Sequence, residues 1–243
     1  FIDVNNDGML DFVRAFDVGG GSGQSWIYLN TGFGWENATN WTYPRCNSGS
    51  TSQNNLCIAN GGGDGAIRFG DVNGDGFIDI LKGRDLSSTN DAISEVWINN
   101  GTAWYFSNVT FPYCNSITDS VCFTNVNSGP IKENGAELSD VNGDGLVDIV
   151  LANQLNHISD VYINNGTGWN RTGDWNYPKC NPSNFDLCFN LGSVRLTDLN
   201  GDGLPDIVKS IQNPGSGGVS EIWLNNGTGW EDASLTWKYP KCG

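Results

Sequence analysis

The chain contains one histidine, one methionine and only 12 lysines and arginines against 27 acidic residues. The scarcity of histidine and of basic residues closes several classes of function. A lone His157, in an Asn-His-Ile-Ser stretch, gives a Ser-His-Asp or Cys-His apparatus little to draw on. Together with unsuitable cysteine spacing it also removes a zinc site. Scattered basic residues form no basic stripe, which disfavours nucleic acid as a partner. No apolar run is long enough to span a bilayer and no signal peptide is present, as expected of a mature or trimmed secreted product. No segment sustains a helical period among good helix formers. The glycine runs Gly19-Gly20-Gly21 and Gly61-Gly62-Gly63 lack the lysine and following helix of a phosphate loop.

What the chain has in quantity is glycine, 33 residues of it, and one acidic pattern written four times. The copies are DVNNDGMLD from Asp3, DVNGDGFID from Asp71, DVNGDGLVD from Asp140 and DLNGDGLPD from Asp198. Each reads D-x-N-x-D-G-x-x-D, which is the ligand spacing of a calcium loop: hard oxygen donors around a glycine that lets the backbone double back. The side-chain donors are Asp3, Asn5, Asp7 and Asp11; Asp71, Asn73, Asp75 and Asp79; Asp140, Asn142, Asp144 and Asp148; and Asp198, Asn200, Asp202 and Asp206. The backbone carbonyls of Met9, Phe77, Leu146 and Leu204 take the seventh position by analogy with the EF-hand. No helix flanks the loops and no glutamate stands at a twelfth position, so structural ions are expected rather than an EF-hand switch. About four Ca2+ ions would add eight positive charges to a formal net charge of −15, leaving about −7.

The loop aspartates lie 68, 69 and 58 residues apart, which makes the chain a repeat array. An apolar pair follows each loop (Phe12-Val13, Ile80-Leu81, Ile149-Val150, Ile207-Val208), predicting a buried strand. A second landmark is an aromatic-aliphatic strand ending in Asn-Asn-Gly or Asn-Thr-Gly and then Trp35, Trp104, Trp169 or Trp230. The third is aromatic-Pro-x-Cys, at Tyr43-Pro44-Arg45-Cys46, Phe111-Pro112-Tyr113-Cys114, Tyr177-Pro178-Lys179-Cys180 and Tyr239-Pro240-Lys241-Cys242. Proline there marks a strand edge or end. The reading is all-β, with about four short strands per repeat. One array covers 1–243, with repeats near 1–57, 58–122, 123–188 and 189–243.

The segment Ile67-Arg68-Phe69-Gly70-Asp71-Val72-Asn73-Gly74-Asp75-Gly76-Phe77-Ile78-Asp79, followed by Ile80-Leu81-Lys82-Gly83, resembles the FG-GAP/VCBS-type repeats of integrin α-subunit propellers and of several secreted lectins and adhesins. Only this copy keeps the Phe-Gly pair; Leu138-Ser139 and Leu196-Thr197 stand there in the third and fourth. The resemblance implies a β-propeller blade with calcium in a loop joining two of its strands, hence four propeller-like blades. Relative to that unit the chain is out of phase, starting without the strand before its first loop and stopping just after the fourth aromatic-Pro-x-Cys. Either flanking sequence or a neighbouring copy completes the pattern.

Cys46 and Cys57, Cys114 and Cys122, and Cys180 and Cys188 recur at one place in each repeat, enclosing ten, seven and seven residues. Neighbour pairing in an oxidising compartment is expected, each bridge adding about 2–3 kcal/mol. Cys242 is left over. Sequons begin at Asn37, Asn40, Asn100, Asn108, Asn165, Asn170 and Asn226, three of them (Asn100, Asn165, Asn226) at the same hairpin-turn position, and N-glycosylation during secretion is expected. The tryptophans after the turn read either as packing between blades or as platforms for sugar rings. Ser94-Glu95, Ser159-Asp160 and Ser220-Glu221 read either as strand caps or as partners of a sugar hydroxyl.

Twelve of the 27 acids belong to the repeated loops, and a repeated feature is a poor basis for one asymmetric active site. The expectation is a non-catalytic, extracellular, calcium-stabilised glycoprotein with a structural or adhesive role. Its partners would be copies of itself, joined head to tail into a fibre or surface appendage, or another extracellular protein. The alternative is a carbohydrate-binding lectin or adhesion ectodomain with a glycan ligand.

Overall fold

The aspartate that closes each loop opens a run of β-branched and aliphatic residues, so loop passes directly into strand. This computed structural model, which describes residues 1–17, 23–44, 46, 56–60, 63–85, 92–112, 114, 121–125, 132–133, 135–153, 158–173, 175, 177–178, 180, 187–189, 193–213 and 217–237, is all-β. The first sheet contains β1 (Phe12–Asp17), β2 (Gly23–Asn30) and β3 (Trp35–Asn37) as an antiparallel meander, with the ribbon β4 (Ala59–Asn60) and β5 (Gly63–Asp64) joined parallel to the far end of β1. The second has β6 (Ile67–Gly70), β7 (Asp79–Asp85), β8 (Ala92–Asn99) and β9 (Trp104–Ser107), with a similar ribbon β10 (Thr124–Asn125) and β11 (Lys132–Glu133) on β7. The third runs β12 (Ala136–Ser139), β13 (Asp148–Asn153), β14 (Ile158–Asn164) and β15 (Trp169–Thr172). The fourth runs β16 (Val194–Thr197), β17 (Asp206–Asn213), β18 (Gly217–Asn225) and β19 (Trp230–Asp232). In the first sheet a bridge from Ile2 to Asp11 stands where the other three have their opening strand.

Residues Phe1–Glu133 with Gly166–Gly168 form one compact unit, and Asn134–Asn165 with Trp169–Gly243 form a second. Each contains two successive sheets packed face to face. In the first unit Val4, Ala15, Ile27, Ile67 and Ile80 share a core with Trp104. In the second, Val141, Val150, Val161, Val194 and Ile207 share one with Trp230. Every residue of β7 and of β13 is buried, as expected of interior strands covered on both faces.

The Tyr-Pro-x-Cys segments clamp neighbouring sheets together. Trp41 and Tyr43 lie with ring centroids 5.8 and 5.7 Å from Trp104, and Trp175 and Tyr177 lie 5.8 and 5.5 Å from Trp230. Tyr43 donates its hydroxyl to the Leu56 carbonyl and Tyr177 to that of Leu187, both at 2.7 Å, on the residue just before the second cysteine of the pair. Burial pushes both phenols up. The three disulfides join the expected neighbours, Cys46–Cys57, Cys114–Cys122 and Cys180–Cys188, with Cα separations of 4.7, 4.9 and 5.1 Å. Gly19-Gly20-Gly21, Gly61-Gly62, His157 and the Tyr239 to Cys242 segment lie outside the described residues. Among the described residues no helix is long and apolar enough to cross a membrane.

Tyr177→Phe keeps the ring on Trp230 but leaves the buried Leu187 carbonyl unpaired. It should cost about 1–2 kcal/mol, read as a lowered Tm. The same change at Tyr105, which is exposed, should leave Tm unchanged.

Candidate functional site

The four acidic loops share most of one hydrogen-bond wiring; the first departs from it where Asp3 accepts from the Asp7 N–H, whereas Asp71, Asp140 and Asp198 accept from the fourth-position glycine. The first aspartate accepts from the backbone N–H of the glycine at position 6: Asp3 from Gly8 (2.8 Å), Asp71 from Gly76 (2.8 Å), Asp140 from Gly145 (2.8 Å) and Asp198 from Gly203 (3.0 Å). Those glycines have φ of 86°, 86°, 87° and 88°, a region other residues enter at a cost. Asn5, Asn73, Asn142 and Asn200 each accept from the N–H two residues on, and each donates its amide to the carboxylate of Asp7, Asp75, Asp144 or Asp202 at 2.8–3.0 Å. That carboxylate's other oxygen accepts the N–H of Met9, Phe77, Leu146 or Leu204 at 2.8–2.9 Å.

The ninth-position aspartate has a role that sequence did not reveal. Asp11, Asp79, Asp148 and Asp206 are fully buried. One oxygen of each accepts the N–H of the loop's second residue (Val4, Val72, Val141, Leu199) at 2.9–3.0 Å. The other accepts the N–H of the first turn asparagine (Asn30, Asn99, Asn164, Asn225) at 2.7–2.8 Å. These carboxylates thus staple each loop to the hairpin turn two strands along. Asn99 and Asn225 extend the tie to the preceding sheet of their unit, donating at 2.8 Å to the carbonyls of Val4 and Val141. The constant first asparagine of the turns was the available signal.

Among the described residues no three His, Cys, Asp or Glu side chains make up a metal-holding group by themselves. Each loop offers three carboxylates, every one of them already accepting at least two N–H bonds, so amide and main-chain oxygens would have to complete a cation's shell. That donor set is the kind calcium takes, since it accepts six to eight oxygens and mixes carboxylates with amide and backbone carbonyls. A carboxylate has about four lone-pair sites, so two N–H bonds at the ninth position leave capacity for a cation. The residues fit the ion. If bound, it supplies positive charge among clustered carboxylates.

The other expected residues separate by environment. Trp104, Trp169 and Trp230 are 4%, 8% and 5% exposed, whereas Trp35 is 49% exposed. The three buried indoles donate to the eighth-position carbonyls of Ile78, Val147 and Pro205 at 2.9–3.0 Å, so packing is their role. Ser94 and Ser159 accept the N–H of Cys114 and Cys180, which makes them caps of the cysteine loops. Glu221 neutralises buried Lys209 at 2.8 Å, and Glu95 stands opposite buried Lys82. Asp160, opposite Leu151, pairs instead with Arg171 at 2.8 Å. All seven sequon asparagines are solvent-exposed.

A family model described as the FG-GAP-like repeat matches residues 3–81 and 140–208. No curated protein matches. Among solved structures the chain is similar to a lectin of Agrocybe aegerita, described as specifically recognising non-reducing terminal N-acetylglucosamine. The TM-score is 0.56 and identity 19%, over 95% of this chain and 49% of the lectin chain. The chain thus spans about half of that lectin, and at this identity the likeness concerns the fold.

Burial raises the carboxyls of Asp79 and Asp148 to about 7; two backbone N–H bonds oppose the rise and the neighbouring loop aspartates add to it. Unfolded, such groups titrate near 3.9. In protein stripped of cations the folded state therefore holds the extra protons between about pH 4 and 7, and stability falls as pH rises through that window. Thermal melts in chelator should show a higher Tm at pH 5 than at pH 7.5, with the difference reduced in Asp79→Asn. A flat or opposite profile in stripped protein contradicts the assignment.

Proposed function

Because the chain belongs to the FG-GAP-like repeat family, we propose that it is part of a calcium-stabilised extracellular glycoprotein with a non-catalytic, carbohydrate-binding or adhesive role. The observation that carries this reading is the wiring that four oxygen-lined loops share at the first, third, fifth and ninth positions. Chemistry repeated at every sheet serves the scaffold, which leaves recognition to the surfaces that differ between repeats. Three disulfides and seven exposed sequon asparagines support an oxidising, secretory setting. The lectin-like fold supports glycans as the ligand class, although a shared fold alone does not assign function.

A second reading, self-association, is favoured by one surface. The aromatic face of Phe1, Phe12, Tyr28 and Trp35 is open, with Phe1 75% exposed. The equivalent Trp104 and Trp230 are covered by a Trp-x-Tyr-Pro segment. Trp237, which begins such a segment in the fourth repeat, is itself partly exposed. Another copy's segment seated on this face would extend the array head to tail. Sedimentation should then show association that increases with concentration and is weakened by Trp35→Ser; a monomer at all concentrations contradicts this second reading.

Two measurements test the main reading. Chelation should lower Tm markedly and millimolar calcium should restore it. A glycan array should show calcium-dependent binding; a folded protein whose Tm ignores chelator, or which binds no glycan, counts against the corresponding half.

A further inference from the structure

The second unit contains a cavity of about 420 Å³ beside the β14–β15 edge, lined by Ser159, Asp160, Arg171, Thr172, Trp175 and Tyr177. The first unit has a cavity of about 300 Å³ at the same place in its repeat, where Ser25, Asn37, Thr39 and Trp41 take the corresponding positions. Both volumes lie in the range of about 300–1,000 Å³ usual for small-molecule sites. Trp41 and Trp175 head the same Trp-x-Tyr-Pro segment, so the pocket recurs with the repeat while its rim does not.

Polar groups in the larger cavity are left with unused capacity. The indole N–H of Trp175 is shielded and has no hydrogen-bond partner, and the same holds for Trp41. The three buried turn tryptophans, by contrast, each have a carbonyl acceptor. Asp160 bonds Arg171 through one oxygen, while its other oxygen is shielded and unpaired. Native proteins leave few such groups unsatisfied, and each leaves a desolvation cost that a ligand can relieve. The reason Asp160 is available is legible in the register. Its counterparts Glu95 and Glu221 stand opposite Lys82 and Lys209, whereas Asp160 stands opposite Leu151.

We infer that the Asp160–Arg171–Trp175 cavity is a binding site for one neutral pyranose ring, with the Ser25–Trp41 cavity a second, differently rimmed copy. The ligand class follows from charge and shape. Asp160 and Arg171 already neutralise one another, so neither a cation nor an anion finds an unpaired opposite charge. A vicinal diol can donate one hydroxyl to the free Asp160 oxygen and accept at the second from Arg171, whose side chain is about half exposed. The half-buried indole of Trp175 offers its unpaired N–H to a ring or hydroxyl oxygen. Tyr177 takes no direct polar part, because its hydroxyl is held by Leu187. This inference rests on the carbohydrate-binding reading and gives it a location.

The test is calorimetric titration of the calcium-loaded protein with the methyl glycosides of glucose, galactose, mannose and N-acetylglucosamine, beside the same glycan array. At least one glycoside should bind saturably at two sites per chain. Asp160→Asn, which keeps an oxygen for Arg171, should weaken one site at least tenfold without moving Tm. Arg171→Ala should weaken it as much but also lower Tm, because it leaves Asp160 unpaired; and Trp41→Phe should affect only the other. Trp175→Phe should weaken the first site as well, and its Tm separates lost binding from lost packing against Trp230. Glycan binding unchanged by both Asp160→Asn and Arg171→Ala overturns this site and leaves the broader reading standing. No saturable binding of any glycoside or array glycan by folded wild-type protein overturns both.

Discussion

One buried carboxylate per repeat holds the structure in register. Its two oxygens accept backbone N–H groups from segments far apart in sequence, the start of the acidic loop and the start of a hairpin turn. The turn asparagine, positioned by that bond, closes its own glycine turn and in two sheets reaches back to the sheet before. Loop, hairpin and inter-sheet contact thus depend on a single side chain. Replacing it leaves two N–H groups unpaired at once, each costing about 1–3 kcal/mol where buried.

The same placement creates an electrostatic problem. A carboxylate taken fully out of water loses several kcal/mol of solvation, and two hydrogen bonds to a charged group return about 1.5–3 kcal/mol each. The margin is thin, and two further carboxylates stand in the same loop. Burial accordingly pushes Asp79 and Asp148 to about 7, where protonation rather than charge becomes the cheaper state. A divalent cation among hard oxygens removes the conflict without protonation. This is the physical ground for proposing calcium in the second and third loops, and the shared donor set extends the proposal to the first and fourth; four ions would also account for much of the formal charge of −15.

Much of this was legible in the residues. The four acidic patterns, the apolar pairs after them and the Asn-Asn-Gly turns mark loop, strand and hairpin, and these are local signals that depend on neighbours in sequence. The cysteine pairing was legible too, because only eight to eleven residues separate each pair. What escaped was non-local. Nothing beside Asp79 in sequence announces Asn99, twenty residues on. Trp35 and Trp104 have the same local context, yet one is half exposed and the other buried, because Tyr43 covers only the second. Likewise Asp160 differs from Glu95 and Glu221 through the residue opposite, Leu151 rather than lysine, which only strand register reveals. The sugar-platform reading of the turn tryptophans was therefore aimed at residues that pack, while Trp41 and Trp175 line the cavities.

A division of labour follows. Repeated chemistry (loops, braces, cysteine clamps) builds near-identical sheets, and variation is confined to rims and exposed faces where it changes recognition without disturbing register. Native mass spectrometry of protein exchanged into millimolar calcium tests the foundation most directly. The account predicts four calcium ions per chain, one lost for each loop whose first and fifth aspartates are replaced by alanine. A folded chain carrying none, or one whose bound calcium is indifferent to those replacements, contradicts it.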